Sequence, residues 1–243
     1  MKMWTFAKRC AREIIRDPLN LGFGLGFPLV LLALLTAIQR RIPAPIYEIN
    51  SLTPGITVFG LSFLTLFSAT LIARDRETAL LRRLYTTPLT GPDFILGYLL
   101  PLLPMALAQA ALCYLWAVPL GLDWGMGVFH ALLGILPLAF FYISLGLLCG
   151  SLLGVKQVGG LCGALLTNLS AWLSGVWFDL DLVGGAFKKL AGLLPFYHGA
   201  QLEKALFSGD FASTLSHSLP VLFYGLLTAA LAVYCFLRQM KNQ

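Results

Sequence analysis

Long apolar segments alternate with short polar ones along most of the chain. The hydrocarbon core of a membrane is about 30 Å thick, and an α-helix needs about 20 apolar residues to cross it. Six segments have about that length and contain no charged side chain. They cover residues 19–38, 54–73, 94–119, 128–153, 157–178 and 219–237. This pattern predicts six transmembrane helices, which we expect to form a single transmembrane domain over residues 1–243.

The predicted spans are apolar on all sides, whereas the strands of a membrane β-barrel would alternate between apolar and polar residues. Hydrophobic residues make up 58% of the chain and charged residues only 12%, which excludes an ordinary soluble domain. The predicted fold class is therefore all-α, a polytopic membrane protein. Gly146, Gly150 and Gly154 recur at every fourth position, and small residues let helices approach closely. We expect them to pack the fourth span against the fifth within the chain, rather than to form a dimer contact.

Two polar regions predict further helices. Residues 1–18 place apolar residues at helical spacing opposite a charged face and end in Pro18, which is typical of an amphipathic interfacial helix. Residues 179–218 are too polar to span a membrane but contain apolar patches. They predict two short helices, at 182–194 and 198–207, whose apolar residues would dip into the outer leaflet or plug the outer end of the bundle.

The distribution of charge predicts the orientation. The chain has 17 Lys and Arg residues against 11 Asp and Glu residues, a net charge of +6. With both termini in the cytoplasm, 12 of the 17 basic residues lie on the inner side, which satisfies the positive-inside rule. The acidic residues on the outer side are then Glu48, Asp123, Asp179, Asp181, Glu203 and Asp210. We expect an integral protein of a bacterial cytoplasmic membrane that binds membrane lipids and no nucleic acid.

The sequence contains few groups that could carry chemistry. Its five cysteines form no CxxC pair, so we expect neither disulfides nor a metal site. His130 is the only ionisable residue of the His, Asp, Glu, Lys and Arg types within a predicted span, which argues against a proton relay. There is no phosphate-binding loop, so the chain is not itself an ATPase, and no cofactor is expected in it. The energy for any transport would have to come from a partner.

Several short motifs resemble those of the membrane permease subunits of type-2 ABC transporters, which are mostly exporters. The motifs are Pro54-Gly55, the charged cluster from Arg74 to Glu77, and the stretches Leu84 to Thr90, Ser174 to Phe178 and Leu193 to His198. The resemblance covers nearly the whole chain, and it implies that residues 179–218 form an outer re-entrant hairpin before the last span. In that family, the cytoplasmic segment between the second and third spans contains a coupling helix that sits in a cleft of the ATP-hydrolysing subunit.

The resemblance implies that residues 74–93 form this coupling loop. The residues that it implies for contact with the ATPase subunit are Arg74, Arg76, Glu77, Leu80, Leu81, Arg82, Arg83 and Leu84. The chain departs from the family pattern at Ala79, Leu80 and Arg82. Alanine favours a helix over glycine by about 0.8–1 kcal/mol, so we expect a stiffer and more basic coupling element. In the alternative interpretation, the arginines only hold the loop at the anionic membrane surface.

The resemblance also implies partners and a type of cargo. The partners would be two copies of an ABC ATPase subunit, which would bind ATP and Mg, and a second permease subunit, in a homodimer or a heterodimer. Export of an amphipathic, drug-like, lipid-like or glycolipid substrate would follow by alternating access between the two permeases. Side chains that could line the pathway are Phe59, Phe63, Phe67, Thr65, Ser68 and Asn168. The alternatives are an ATP-independent carrier or channel and a membrane-embedded enzyme.

Overall fold

The computed structural model describes residues 2–42, 45–78 and 90–241. Within these ranges the chain is helical apart from short turns and contains no strand, so the all-α prediction is confirmed there. The α-helices are α1 (Lys2–Ile15), α2 (Pro18–Leu21), α3 (Phe27–Gln39), α4 (Ile49–Glu77), α5 (Gly91–Ala117), α6 (Met126–Leu152), α7 (Val155–Val158), α8 (Thr167–Leu173), α9 (Leu180–Val183), α10 (Gly185–Leu193), α11 (Pro195–Ser208) and α12 (Phe211–Lys241). The π-helical segments Gly22–Gly26 and Gly159–Leu166 join α2 to α3 and α7 to α8.

Five helices in the described part of the chain are long and apolar enough to cross a membrane. They are Gly22–Gln39, Ile49–Glu77, Ile95–Leu120, Met126–Leu152 and Phe211–Arg238. Each corresponds to a predicted span. The largest differences are at the ends of α4 and at the start of α12, because helical turns continue beyond the apolar segment into polar sequence. A helix needs only backbone hydrogen bonds to continue, so hydropathy does not mark its last turn.

The remaining predicted span, residues 157–178, is helical only as far as Leu173. It is divided among α7, the second π-helical segment and α8. Lys156, Gln157 and Asn168 make this helical stretch less apolar than the other five. A sixth span therefore stays a prediction.

The predicted outer hairpin consists of α10 and α11, preceded by the single turn α9. Gly209 ends α11 in the left-handed conformation, with a φ of 76°, and α12 begins two residues later. The hairpin therefore ends near Asp210 rather than at residue 218, because the polar residues after Asp210 already form the first turns of α12. α11 packs against α4, α6 and α12, so this part of the chain belongs to the bundle.

Helix α4 lies at the centre of the bundle. Of its most apolar stretch, 83% is buried, compared with 28% for the last span. It contacts α3, α5, α6 and α11. α6 packs mainly against α4 and α12. Many large apolar side chains of α12 are exposed, so α12 lies at the periphery of the bundle.

Glycines set the close approach of α6 to α4. A Cβ atom added to Gly146 would collide with Thr65 and Ser68, and one added to Gly150 would collide with Ala69. The hydroxyls of Thr65 and Ser68 donate across this contact to backbone carbonyls of α6, at 2.9 and 3.1 Å. The expectation that these glycines pack within the chain is thus confirmed. Their partner is the second span and not the fifth, since the chain order of helices does not fix which faces meet.

We expect Gly150→Ala to destabilise the protein, because the added methyl group has no room against the backbone of α4. Overpacking of this kind costs about 1–3 kcal/mol. The matched control is Gly26→Ala, where an added Cβ atom meets no atom within 4 Å. Thermal unfolding of the purified chain in detergent should show a lower midpoint for Gly150→Ala only. Equal midpoints for the two variants would contradict the close contact.

Candidate functional site

The last turn of α4 carries four successive charged residues, Arg74, Asp75, Arg76 and Glu77. Successive side chains on a helix point about 100° apart, so these four point around the whole circumference. Each contacts a different part of the chain. We call this end of the molecule, where α4 ends and α5 begins, the inner end, because it is predicted to face the cytoplasm.

Asp75 is the buried member of the group, with an exposed fraction of 2%. The Arg9 guanidinium donates to both of its carboxylate oxygens, at 2.9 and 2.6 Å. The Tyr98 hydroxyl donates to the carboxylate as well, at 2.6 Å. Arg9 lies on α1 and Tyr98 on α5, so a single carboxylate joins three helices. Such a two-point guanidinium–carboxylate contact is among the stronger hydrogen-bonded pairs in proteins.

Helix α1 is also held by packing. The Phe6 ring lies against the edge of the Tyr98 ring, with 5.0 Å between the ring centroids, and it fills the space left by Gly97. Cys10 is fully buried one turn further on, and burial raises the pKa of its thiol to about 12. For Arg9, burial alone would lower the pKa, but the hydrogen bonds and the charge of Asp75 outweigh it and raise the pKa. α1 is therefore a packed element of the bundle as well as an amphipathic helix.

The other three charged residues have weaker or different contacts. Arg74 is exposed and lies 3.4 Å from the carboxylate of Asp17, in the turn between α1 and α2. Arg76 donates to the backbone carbonyls of Gly150 and Leu153, at 2.8 and 3.1 Å, at the C-terminal end of α6. These carbonyls have no partner within the helix, and a cation at a helix C-terminus is favourable.

Glu77 accepts a hydrogen bond from the backbone N–H of Val155, the first residue of α7, at 2.9 Å. Arg76 and Glu77 thus both form hydrogen bonds to the backbone of the turn between α6 and α7.

After the predicted coupling loop, Thr90 and Asp93 cap the start of α5. The backbone N–H of Thr90 donates to the Asp93 carboxylate, and the backbone N–H of Asp93 donates to the Thr90 hydroxyl. These hydrogen bonds from Thr90 lower the pKa of Asp93.

A cleft of about 420 Å³ lies beside this network. Its lining includes charged side chains of both signs from α1, from the turn after α1 and from the end of α4. They are Arg9, Glu13, Arg16, Asp17, Arg74 and Asp75. Burial raises the pKa of Glu13, which also pairs with Arg9 at 2.6 Å. A cleft with both signs of charge is suited to docking a charged segment of protein.

The structure places three of the eight predicted coupling residues, and the coupling role of all eight stays a prediction. Arg74 is exposed, whereas Arg76 and Glu77 are bonded within the chain. Leu80, Leu81, Arg82, Arg83 and Leu84 lie outside the described residues, as does Ala79. Sequence reasoning missed Arg9, Asp75 and Tyr98 as a connected group. The charged cluster at the end of an apolar helix was a signal, but the Arg9 partner of Asp75 is 66 residues away in sequence.

The predicted pathway residues are not gathered around one described cavity. Phe59 and Phe63 are buried and pack against each other and against Phe27. Thr65 and Ser68 are buried in the contact with α6, and Phe67 lies against Gly24 and borders a cavity of about 30 Å³. Asn168 is exposed and donates to the carbonyl of Ala164. A pathway role for these residues stays a prediction.

The apolar helices and their polar inner end define a polytopic integral membrane protein. Comparison with protein-family models matches residues 1–203 to the ABC-2 type transporter. The chain therefore belongs to the ABC-2 type transporter family, and it is a membrane permease component rather than a catalytic ATPase. None of the curated proteins compared with the chain matches it.

We expect Asp75→Asn to destabilise the protein, because it leaves the Arg9 guanidinium without its counter-charge. Removing one partner of a buried ion pair costs about 3–5 kcal/mol, and partial exposure of Arg9 should reduce this to about 2–3 kcal/mol. The measurement is the unfolding midpoint of the purified chain, with Glu48→Gln, an exposed acid, as the matched control. Arg9→Met should be non-additive with Asp75→Asn. If the double variant lost the sum of the two single losses, the residues would not be a pair.

Proposed function

We propose that the chain is the permease subunit of an ATP-driven ABC exporter and that the end of α4 passes the movement of an ATPase subunit to the bundle. The observation that carries this proposal is the set of contacts at residues 74–77. They connect α4 to α1, α5, α6 and α7 immediately before the coupling loop. A displacement of that loop would act through the last turn of α4 on four other helices, α1, α5, α6 and α7.

The proposed partners follow from the family, whose members associate with an ABC ATPase and typically with another permease copy. Two ATPase subunits would bind ATP and Mg, and two permeases would enclose the pathway. The cleft beside α1 and α4 supports a docking role because it presents both charge signs next to the coupling loop. We propose an amphipathic, lipid-like, drug-like or glycolipid cargo, since the described spans offer mainly apolar surfaces and hydroxyls, and the ion pair of Asp75 with Arg9 lies at the inner end.

We further propose six spans, with both termini in the cytoplasm of a bacterial cell. The helical stretch from α7 to α8 supports the sixth span, because it follows α6 directly and reaches as far as Leu173. The excess of Lys and Arg on the inner side supports the orientation. An even number of spans also returns the C-terminal end of α12 to the side of α1.

The coupling role predicts two separable defects. Arg83→Glu reverses a charge that would face the ATPase, so we expect it to weaken assembly by about tenfold, the effect of about 1.4 kcal/mol. Glu77→Ala removes a bond inside the chain, so it should leave assembly intact and reduce the ATPase activity that depends on the permease. The measurements are retention of the ABC ATPase that co-purifies with the chain and ATP hydrolysis by the complex in liposomes.

Arg238→Glu is the matched control, since it reverses an exposed charge on the same predicted side but outside the loop. If Arg83→Glu and Arg238→Glu behaved alike, the loop would have no special role in assembly. Transport that continued after ATP depletion would favour the ATP-independent carrier instead.

A further inference from the structure

Glu203, on α11, is an acid inside the bundle. Its exposed fraction is 0%, although the sequence analysis grouped it with the acidic residues of the outer side. One carboxyl oxygen accepts a hydrogen bond from the Tyr114 hydroxyl of α5, at 2.8 Å. The other oxygen faces Gly134 of α6, where an added Cβ atom would stand 3.1 Å away. That second oxygen has no hydrogen-bond partner among the described residues.

No cation compensates this carboxyl group. Among the described residues, no Lys, Arg or His forms an ion pair with Glu203, unlike Asp75 with Arg9. Among the described residues of α4, α5, α6 and α12, the titratable group that contacts it by a hydrogen bond is Tyr114. Tyr114 lies six residues before the outer end of the span Ile95–Leu120, and Gly134 lies eight residues after the outer end of the span Met126–Leu152. At a rise of about 1.5 Å per residue, these depths are about 9 and 12 Å.

These surroundings favour the neutral acid. Burying an ionised carboxylate without a counter-charge is expensive, and such a group usually keeps its proton instead. Burial raises the pKa of Glu203 to about 8, although the hydrogen bond from Tyr114 acts in the opposite direction. The ordinary value for a solvated glutamate is 4.5. At neutral pH, Glu203 is therefore mainly protonated while α11 is packed in place.

We propose that Glu203 is a proton-binding site of the transport cycle, which holds a proton while α11 is packed against α5 and α6 and releases it when the outer end opens. This inference rests on the proposed function, because opening of the outer end is a step of alternating access. On opening, the O–H bond of the acid breaks, the proton passes to water on the outer side, and the carboxylate becomes hydrated. On closing, Glu203 takes a proton back from the same water, so no net proton transport results.

The direction of the pH effect follows from linkage. The window of pH lies between the solvated pKa of Glu203, 4.5, and its buried pKa, about 8. Within this window, the closed form of the outer end binds one more proton than the open form. Raising the pH through this window weakens the closed form by up to tenfold per pH unit. Above the buried pKa the effect stops. An acidic exterior therefore favours the closed outer end, and a neutral or alkaline exterior favours opening.

The first test uses the full chain alone in lipid nanodiscs, so it does not depend on an ATPase partner. Thermal unfolding midpoints are measured from pH 5 to pH 9 for the native chain, Glu203→Gln and the exposed control Glu48→Gln. We expect the midpoint to fall as the pH rises towards 8 in the native chain and in the control, and to be flat in Glu203→Gln. Tyr114→Phe removes the hydrogen bond that lowers the pKa, so its fall should extend to higher pH. If Glu203→Gln kept the native pH dependence, the proton site would be refuted.

The second test uses liposomes that contain the complex with its co-purifying ATPase, with the pH varied on the outer side only. ATP turnover should change with outer pH between 5 and 8 for the native complex and for Glu48→Gln, and should lose this dependence in Glu203→Gln. A pH-dependent midpoint in the first test together with a pH-independent turnover would overturn the role in the cycle. If no ATPase associated with the chain, the proposed function would fail, and the first test would still decide whether Glu203 binds the proton.

Discussion

The carboxylate of Asp75 is the group on which the inner end of the molecule depends. Burying it would be unfavourable without compensation, and the guanidinium of Arg9 and the hydroxyl of Tyr98 together supply three hydrogen bonds. Because these donors come from α1 and α5, compensation of one charge also fixes two helices onto α4. Arg76 and Glu77 extend the same junction to α6 and α7. The chain therefore leaves α4 for the predicted coupling loop directly after the turn that contacts four other helices.

The two buried acids among the described residues have different surroundings. Asp75 has a guanidinium within hydrogen-bond distance of both of its carboxylate oxygens. Glu203 has a phenol on one oxygen and no partner on the other, so its protonated form is favoured. Residue type and hydropathy are nearly the same for both. Asp75 consequently connects three helices, and Glu203 is suited to changing its charge when the packing around it changes.

The sequence was sufficient for features that depend on one segment and insufficient for those that depend on two. Apolar length predicted the five long helices, because crossing a membrane requires a minimum apolar run. The sequence did not predict that Gly146 and Gly150 pack against the second span, because glycines permit a close approach by any neighbouring helix. The burial of Glu203 was missed for the same reason. The sequence places its helix in the outer hairpin, but which of its side chains face the bundle depends on its contacts with α5 and α6.

Helix α5 connects the two buried acids. Tyr98, near its inner end, donates to Asp75, and Tyr114, near its outer end, donates to Glu203. Pro101 and Pro104 lie between the two tyrosines, where each removes a backbone hydrogen bond and permits the helix to bend. A displacement of α5 at the inner end would therefore act on the hydrogen bond between Tyr98 and Asp75, and the two prolines lie between that bond and the one from Tyr114 to Glu203. Both buried acids thus depend on the position of one helix for a hydrogen bond.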